Sequence, residues 1–308
     1  MQGLESNPRS LLPRTRTTRH QFAFGGVAFE VLADKSVLWE VPESYQRHML
    51  DTSQTTVIGD VVCSVRVDRG LSEQVNIGHE LSLHEAGAQT RVIAAQLCAQ
   101  ISEIRPGKYA ATARVTPGRS GAGAVLLGVA SAVLQRLGGL HLHAAGVELE
   151  GEAVLYLGPK RGDADAWTAA ALTIGPHQPF AYGRVCIAPG PDERMWAFSL
   201  PGDDALAGAM LSSRQALPLA GLVRVRRDPA AHGPALELLT GARRALALRE
   251  AVAIADDDAA TEARRMQRVS ELSARIPLLE LKSALDAPID ALVRAGLHAA
   301  KAVEPQAK

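Results

Sequence analysis

The sequence predicts an α/β fold, with a β-rich N-terminal lobe, a core of strands and helices, and further helices towards the C-terminus. Three observations lead there. Between residues 22 and 117, short stretches alternate polar and apolar residues or stay apolar for a strand's length, with turn residues between them. Between 120 and 137, Val125, Leu126, Val129, Val133, Leu134 and Leu137 fall near helical spacing. Two apolar strands then flank the turn Glu150-Gly151-Glu152, and the second runs into a glycine-containing loop and an alanine-rich helix at 166–172.

Taken in order, residues 1–20 are polar and basic without periodicity and are expected to be a disordered lead-in. The pair Gly25-Gly26 between apolar runs predicts a hairpin. Strands are expected at 61–67, 81–84 and 109–116, with Arg105-Pro106-Gly107-Lys108 as a turn, and the lobe at 21–118 reads as antiparallel. Gly138-Gly139 stops the helix that follows. Further strands are expected at 140–147, 153–157, 180–188, 195–200, 219–227 and 275–281. Helices are expected at 235–239, 243–254, 262–274 and 288–300. The core so defined spans 119–300, and 301–308 is a polar tail.

Composition narrows the function classes. The chain of 308 residues is 47% hydrophobic, enough for one large core or two of ordinary size. Its 33 basic and 33 acidic residues balance, and aromatic residues make up only 4%, so neither the net charge nor an aromatic-interleaved basic patch points to nucleic acid. No apolar run reaches the roughly 20 residues of a membrane span. Cys63, Cys98 and Cys186 are widely spaced and read as buried thiols of a reducing compartment. The expectation is a cytoplasmic protein with no nucleic acid and no membrane among its partners. A homo-oligomer is left open.

The chemistry-bearing stretch runs Val154-Leu-Tyr-Leu-Gly158-Pro159-Lys160-Arg161-Gly162-Asp163-Ala164-Asp165. A strand entering a glycine loop and then a helix is the setting of the phosphate-binding motif GxxxxGK[ST]. In that motif backbone N–H groups face the phosphates, a lysine neutralises charge and a hydroxyl ligates Mg²⁺. Counted from Gly158, Asp163, Ala164 and Asp165 stand at the second glycine, lysine and hydroxyl positions. Two carboxylates there repel a polyphosphate by about 1–4 kcal/mol per contact. Lys160 and Arg161 could supply charge from displaced positions. The stretch reads equally as a strand–turn–helix without a ligand. A second glycine-rich entry, at 118–123, has Ala124 and Val125 at the lysine and hydroxyl positions and reads as a flexible helix start. The carboxylate runs Asp203-Asp204 and Asp256-Asp257-Asp258 read as solvated turns and caps.

Leu142-His143-Ala-Ala-Gly146-Val, the strand ending at Gly158-Pro159 and the loop after it resemble the core of the HPr kinase/phosphorylase-like serine kinases. These are P-loop proteins with a phosphoenolpyruvate carboxykinase-like fold. Residues 218–223 and 276–281 are similar to later strands of that family, and the resemblance extends over about 22–293. It implies an HPr-kinase-like P-loop core, and it matches His143 to a histidine the family keeps. It also implies paired aspartates after the loop helix, serving Mg²⁺ and proton transfer; Tyr182 and Gly183 stand there instead. Neither can act as a carboxylate base.

With lysine, hydroxyl and acidic pair absent together, the sequence reads as a pseudokinase: a binding or scaffold protein with a protein or peptide partner, no catalytic residue, no resident cofactor and no metal. His143 then serves as a structural histidine. His141, on the same strand face, could join it as a metal ligand, but no third ligand stands at suitable spacing. The alternative is an active Mg-ATP-dependent serine or peptide kinase using Lys160 or Arg161. A less anionic ligand drawn to Asp163 and Asp165 is a third reading.

Overall fold

The computed structural model describes residues 17–34, 41, 43–46, 48–51, 53, 56–67, 81–94, 97–116, 120–158, 178–181, 183–190, 192–200, 216–227, 235–253, 259–283, 295–296 and 299. They form a mixed, strand-rich α/β structure with two sheets.

The first sheet comprises β1 (Thr17–Phe24), β2 (Val27–Asp34), β3 (Gly59–Val67), β4 (Ser82–Ala86), β5 (Gln89–Ala94), β6 (Leu97–Arg105) and β7 (Lys108–Val115), in the order β1-β2-β3-β7-β6-β5-β4. Period-2 patterning decides its faces. In β2, Val27, Phe29, Val31 and Ala33 point into the core while the residues between them are half-buried. β1 starts at Thr17, inside the stretch expected to be a lead-in. The lobe is also not purely antiparallel: β2–β3 and β3–β7 run parallel. Side-chain alternation sets which face is buried but not which way a strand runs, and the connection 35–58, which includes α1 (Glu43–Gln46), is long enough for a parallel crossover.

α2 (Ser120–Arg136) follows the helical reading to within one residue. It is apolar all round because it is covered all round. Val125, Leu126, Val129, Val133 and Leu134 join the first sheet in one core, and that core also takes in Cys186, Ala188, Phe198 and Leu200 from the second sheet. The expected flexible glycine entry is the first turn of this helix: a side chain at Gly123 would press on the Tyr45 ring.

The second sheet contains β8 (Leu140–Leu149), β9 (Glu152–Leu157), β10 (Gln178–Ala181), β11 (Arg184–Pro189), β12 (Met195–Leu200), β13 (Ala216–Arg227), β14 (Ala235–Leu238) and β15 (Leu278–Ser283). Its pairings close into a ring: β8 with β11, β11 with β12, β12 with β13, β13 with β9, and β9 with β8. Leu140, Leu142, Leu155, Leu157, Val185, Ile187 and Leu222 fill one side of it, together with α3 (Gly241–Glu250) and α4 (Ala259–Arg275). The parallel strands β9, β13 and β15 lie side by side.

Two readings need correction here. Residues 235–239, expected as helix for their alanine, leucine and glutamate, form β14, because Leu236 and Leu238 pair with Leu281 and Leu279 of β15. The single strand expected at 180–188 breaks into β10 and β11 at Gly183, whose φ is 79°. Glu85 of β4, almost fully buried, ties the lobes together: it meets Arg264 and Arg268 of α4 at 3.0 and 2.9 Å.

Candidate functional site

β8 changes partners in mid-strand. Its first half, Leu140 to His143, pairs with β11, and its second half, from Ala144 on, pairs with β9. Three positions singled out in the sequence meet at the break. The Gly158 amide donates to the His143 carbonyl at 3.1 Å, and the Ala144 amide donates to the Gly183 carbonyl at 3.4 Å. The His143 amide donates to the Ala251 carbonyl at 2.7 Å, so the chain leaving α3 occupies the remaining edge. In α/β sheets, ligands lie beyond the carboxyl ends of strands where neighbours change, the position Gly158 holds at the end of β9.

Local sequence explains the geometry. Gly146 is needed because a side chain there would collide with Phe180 and Leu155. Gly183 sits in the left-handed region that glycine enters without strain and an aspartate does not. The acidic pair implied by resemblance is thus replaced, at its second position, by a backbone bend.

His141 faces α2, where its Nε2–H donates to the Ser131 carbonyl at 3.2 Å. Burial pushes its imidazole down to about 4; the Ser131 carbonyl opposes the shift and Arg184 adds to it. His141 is therefore a neutral core histidine. Among the described residues no three His, Cys, Asp or Glu side chains gather as a metal site.

One residue along from Gly158, the parallel register sets Leu157 beside Arg224 of β13, and Arg224 beside Glu280 of β15. Around Glu280, only 1% exposed, a charged network forms. Arg224 lies 2.5 Å from Glu250 and 3.6 Å from Glu280. Arg243 lies 3.3 Å from Glu280 and pairs with Glu237. Lys282 lies 3.0 Å from Glu237 and 3.8 Å from Glu280. Arg243 and then Lys282 hold the Glu237 carboxyl at about 2. Three cations meet three carboxylates in this network.

The sequence reading missed this network. Its signal was present in the alternation Arg224-Val225-Arg226 and in Glu280 and Lys282, charges two residues apart inside strands. Pro159, Lys160, Arg161, Gly162, Asp163, Ala164, Asp165 and Tyr182 lie outside the described residues. So do the helix expected at 166–172, most of the one expected at 288–300, and the aspartates 203–204 and 256–258. Within those described, Gly183 offers no side-chain ligand.

No protein-family model matches the chain, and no curated protein matches it. Among solved structures, the Hpr(Ser) kinase/phosphatase from Coxiella burnetii is similar at 8% identity and a TM-score of 0.32, over 53% of this chain and 96% of that one. A likeness this distant says nothing about activity. No helix among the described residues is long and apolar enough to cross a membrane.

Proposed function

We propose that the chain is a non-catalytic binding or scaffold protein on a kinase-like core, and that its partner is a protein or peptide. The observation that carries this reading is the charge balance beside Gly158. A phosphoryl-transfer site needs unspent positive charge and a carboxylate base facing the phosphates. Here Arg224, Arg243 and Lys282 are spent on Glu237, Glu250 and Glu280. The loop itself carries Ala164 and Asp165 where a lysine and a hydroxyl would serve.

A polypeptide partner is supported by β14, which ends the second sheet in the described residues and carries Leu236 and Leu238 at 40% and 46% exposure. An extended peptide adding to such an edge gains main-chain hydrogen bonds and side-chain contacts together.

Calorimetric titration with Mg-ATP tests the catalytic half. The expected result is no binding tighter than about 1 mM. Micromolar binding that disappears in Lys160→Ala would establish the atypical kinase instead.

A further inference from the structure

Four residues of α4 share one stripe of the helix: Thr261, Arg264, Arg265 and Arg268 are spaced by three, one and three, so they face the same way. That stripe meets Glu85 of β4. The Thr261 hydroxyl accepts the Glu85 amide at 3.3 Å, and Arg264 Nη2 donates to the Glu85 carbonyl. The Glu85 carboxylate receives two guanidinium groups. Arg264 Nε lies 3.0 Å from Oε2, and Arg268 Nη2 lies 2.9 and 3.0 Å from the two oxygens. Arg265 pairs instead with Glu262. Among the described residues no other carboxylate reaches Arg264 or Arg268, so two cations share one anion.

Arg268 also lines a small cavity of about 10 Å³, room for one particle the size of a water molecule. Gln135 at the end of α2, Gly139 and His141 line it too. Local sequence brings these together. The Gly139 amide donates to the Leu134 carbonyl at 2.8 Å, which turns β8 back so that His141 reaches Ser131. Arg268 Nη1 and Gln135 Nε2 are both buried and have no hydrogen-bond partner among the described residues. Gln135 as a whole is only 6% exposed. No carboxylate lines the cavity among the described residues, and His141 is neutral.

We propose that this cavity binds a single anion of chloride's size, held by Arg268 Nη1 and Gln135 Nε2. An anion accepts from both donors at once and balances the second guanidinium on Glu85. A water molecule could accept the same two bonds, but it would leave the charge unbalanced and must place two hydrogens of its own. Leu140 and Val252 add apolar surface to the wall, beside which a charged hydrogen bond is stronger than in water. So small a cavity has no room for a phosphate or a carboxylate ligand. This inference is independent of the non-catalytic reading, and either can fail alone.

The test follows the melting temperature of the full chain as chloride replaces gluconate, an anion too large to enter, at constant ionic strength. Chloride and bromide should each raise it by roughly 2 °C or more, as expected for ions that bind only the folded chain. The chloride NMR line should broaden in the presence of the parent protein. Gln135→Leu, which keeps most of the volume and removes the donor, should abolish both responses. Gln135→Glu supplies the missing negative charge from the protein itself. It should melt above the parent in gluconate and ignore chloride. Arg91→Ala, on an exposed part of the first sheet, should respond as the parent does. Should Gln135→Leu fail to fold, Gln135→Glu and the parent's NMR response decide alone. The inference is overturned if the parent melts at one temperature in chloride and in gluconate, as it would with water in the cavity. It is also overturned if either Gln135 variant keeps the chloride response.

Discussion

Cations in this molecule live in two different surroundings. Beside Gly158, Arg224, Arg243 and Lys282 converge on a buried carboxylate and are matched charge for charge. On the outer face of the first sheet, Arg91 stands exposed. One set is locked into a buried network, and the other side chain lies open to solvent.

The largest expected effect comes from removing the centre of the balanced group. Glu280→Ala leaves three cations facing each other around a buried hole and should cost about 3–4 kcal/mol in urea denaturation. Glu280→Gln should cost less, because it keeps the volume and part of the hydrogen bonding. Arg91→Ala, a comparable truncation on the other face, should stay within about 0.5 kcal/mol. Equal costs at the two sites would erase the contrast between a buried network and an exposed side chain.

Acid sharpens the comparison next. Glu237 is held at about 2 in the folded chain, below its ordinary 4.5, so its contribution is complete above 4.5 and is lost as pH falls towards 2. His141 acts in a higher window. Its folded value of about 4 lies below the ordinary 6.5, so between those values the unfolded chain binds more protons and stability falls with falling pH. The full loss is of order 3 kcal/mol for a wholly buried imidazole. His141→Gln, which keeps a donor for the Ser131 carbonyl, should flatten the stability profile between pH 6.5 and 4 and leave the lower window unchanged. A parent profile already flat between 6.5 and 4 would show that His141 is not desolvated as the structure has it.

These effects also mark what the sequence could reveal. Alternation in β2 and apolar spacing in α2 were legible because each encodes burial through a local period. The approach of Gly158, His143 and Gly183 was half legible: each position was marked, but the partner change in β8 that joins them is a long-range pairing. The Glu280 network was hidden for the same reason, since its members come from β13, β14, β15 and α3 and meet only when parallel strands align. Parallel pairing in the first sheet left no mark at all, as side-chain alternation is the same in either direction.

The smallest of these effects bears most directly on lost chemistry. Gly183→Asp places a carboxylate at one of the positions implied by the kinase resemblance. Because φ there is 79°, the side chain costs about 1–2 kcal/mol of backbone strain. The Gly183 carbonyl must still accept the Ala144 amide, so the bend cannot relax without loosening the partner change in β8. The variant should therefore be slightly less stable by thermal denaturation and should gain no affinity for Mg-ATP, since Arg224 stays committed to Glu250 and Glu280. If Gly183→Asp instead conferred nucleotide binding, a single lost carboxylate would be the whole barrier. The paired charges beside Gly158 would then be no barrier to a polyphosphate.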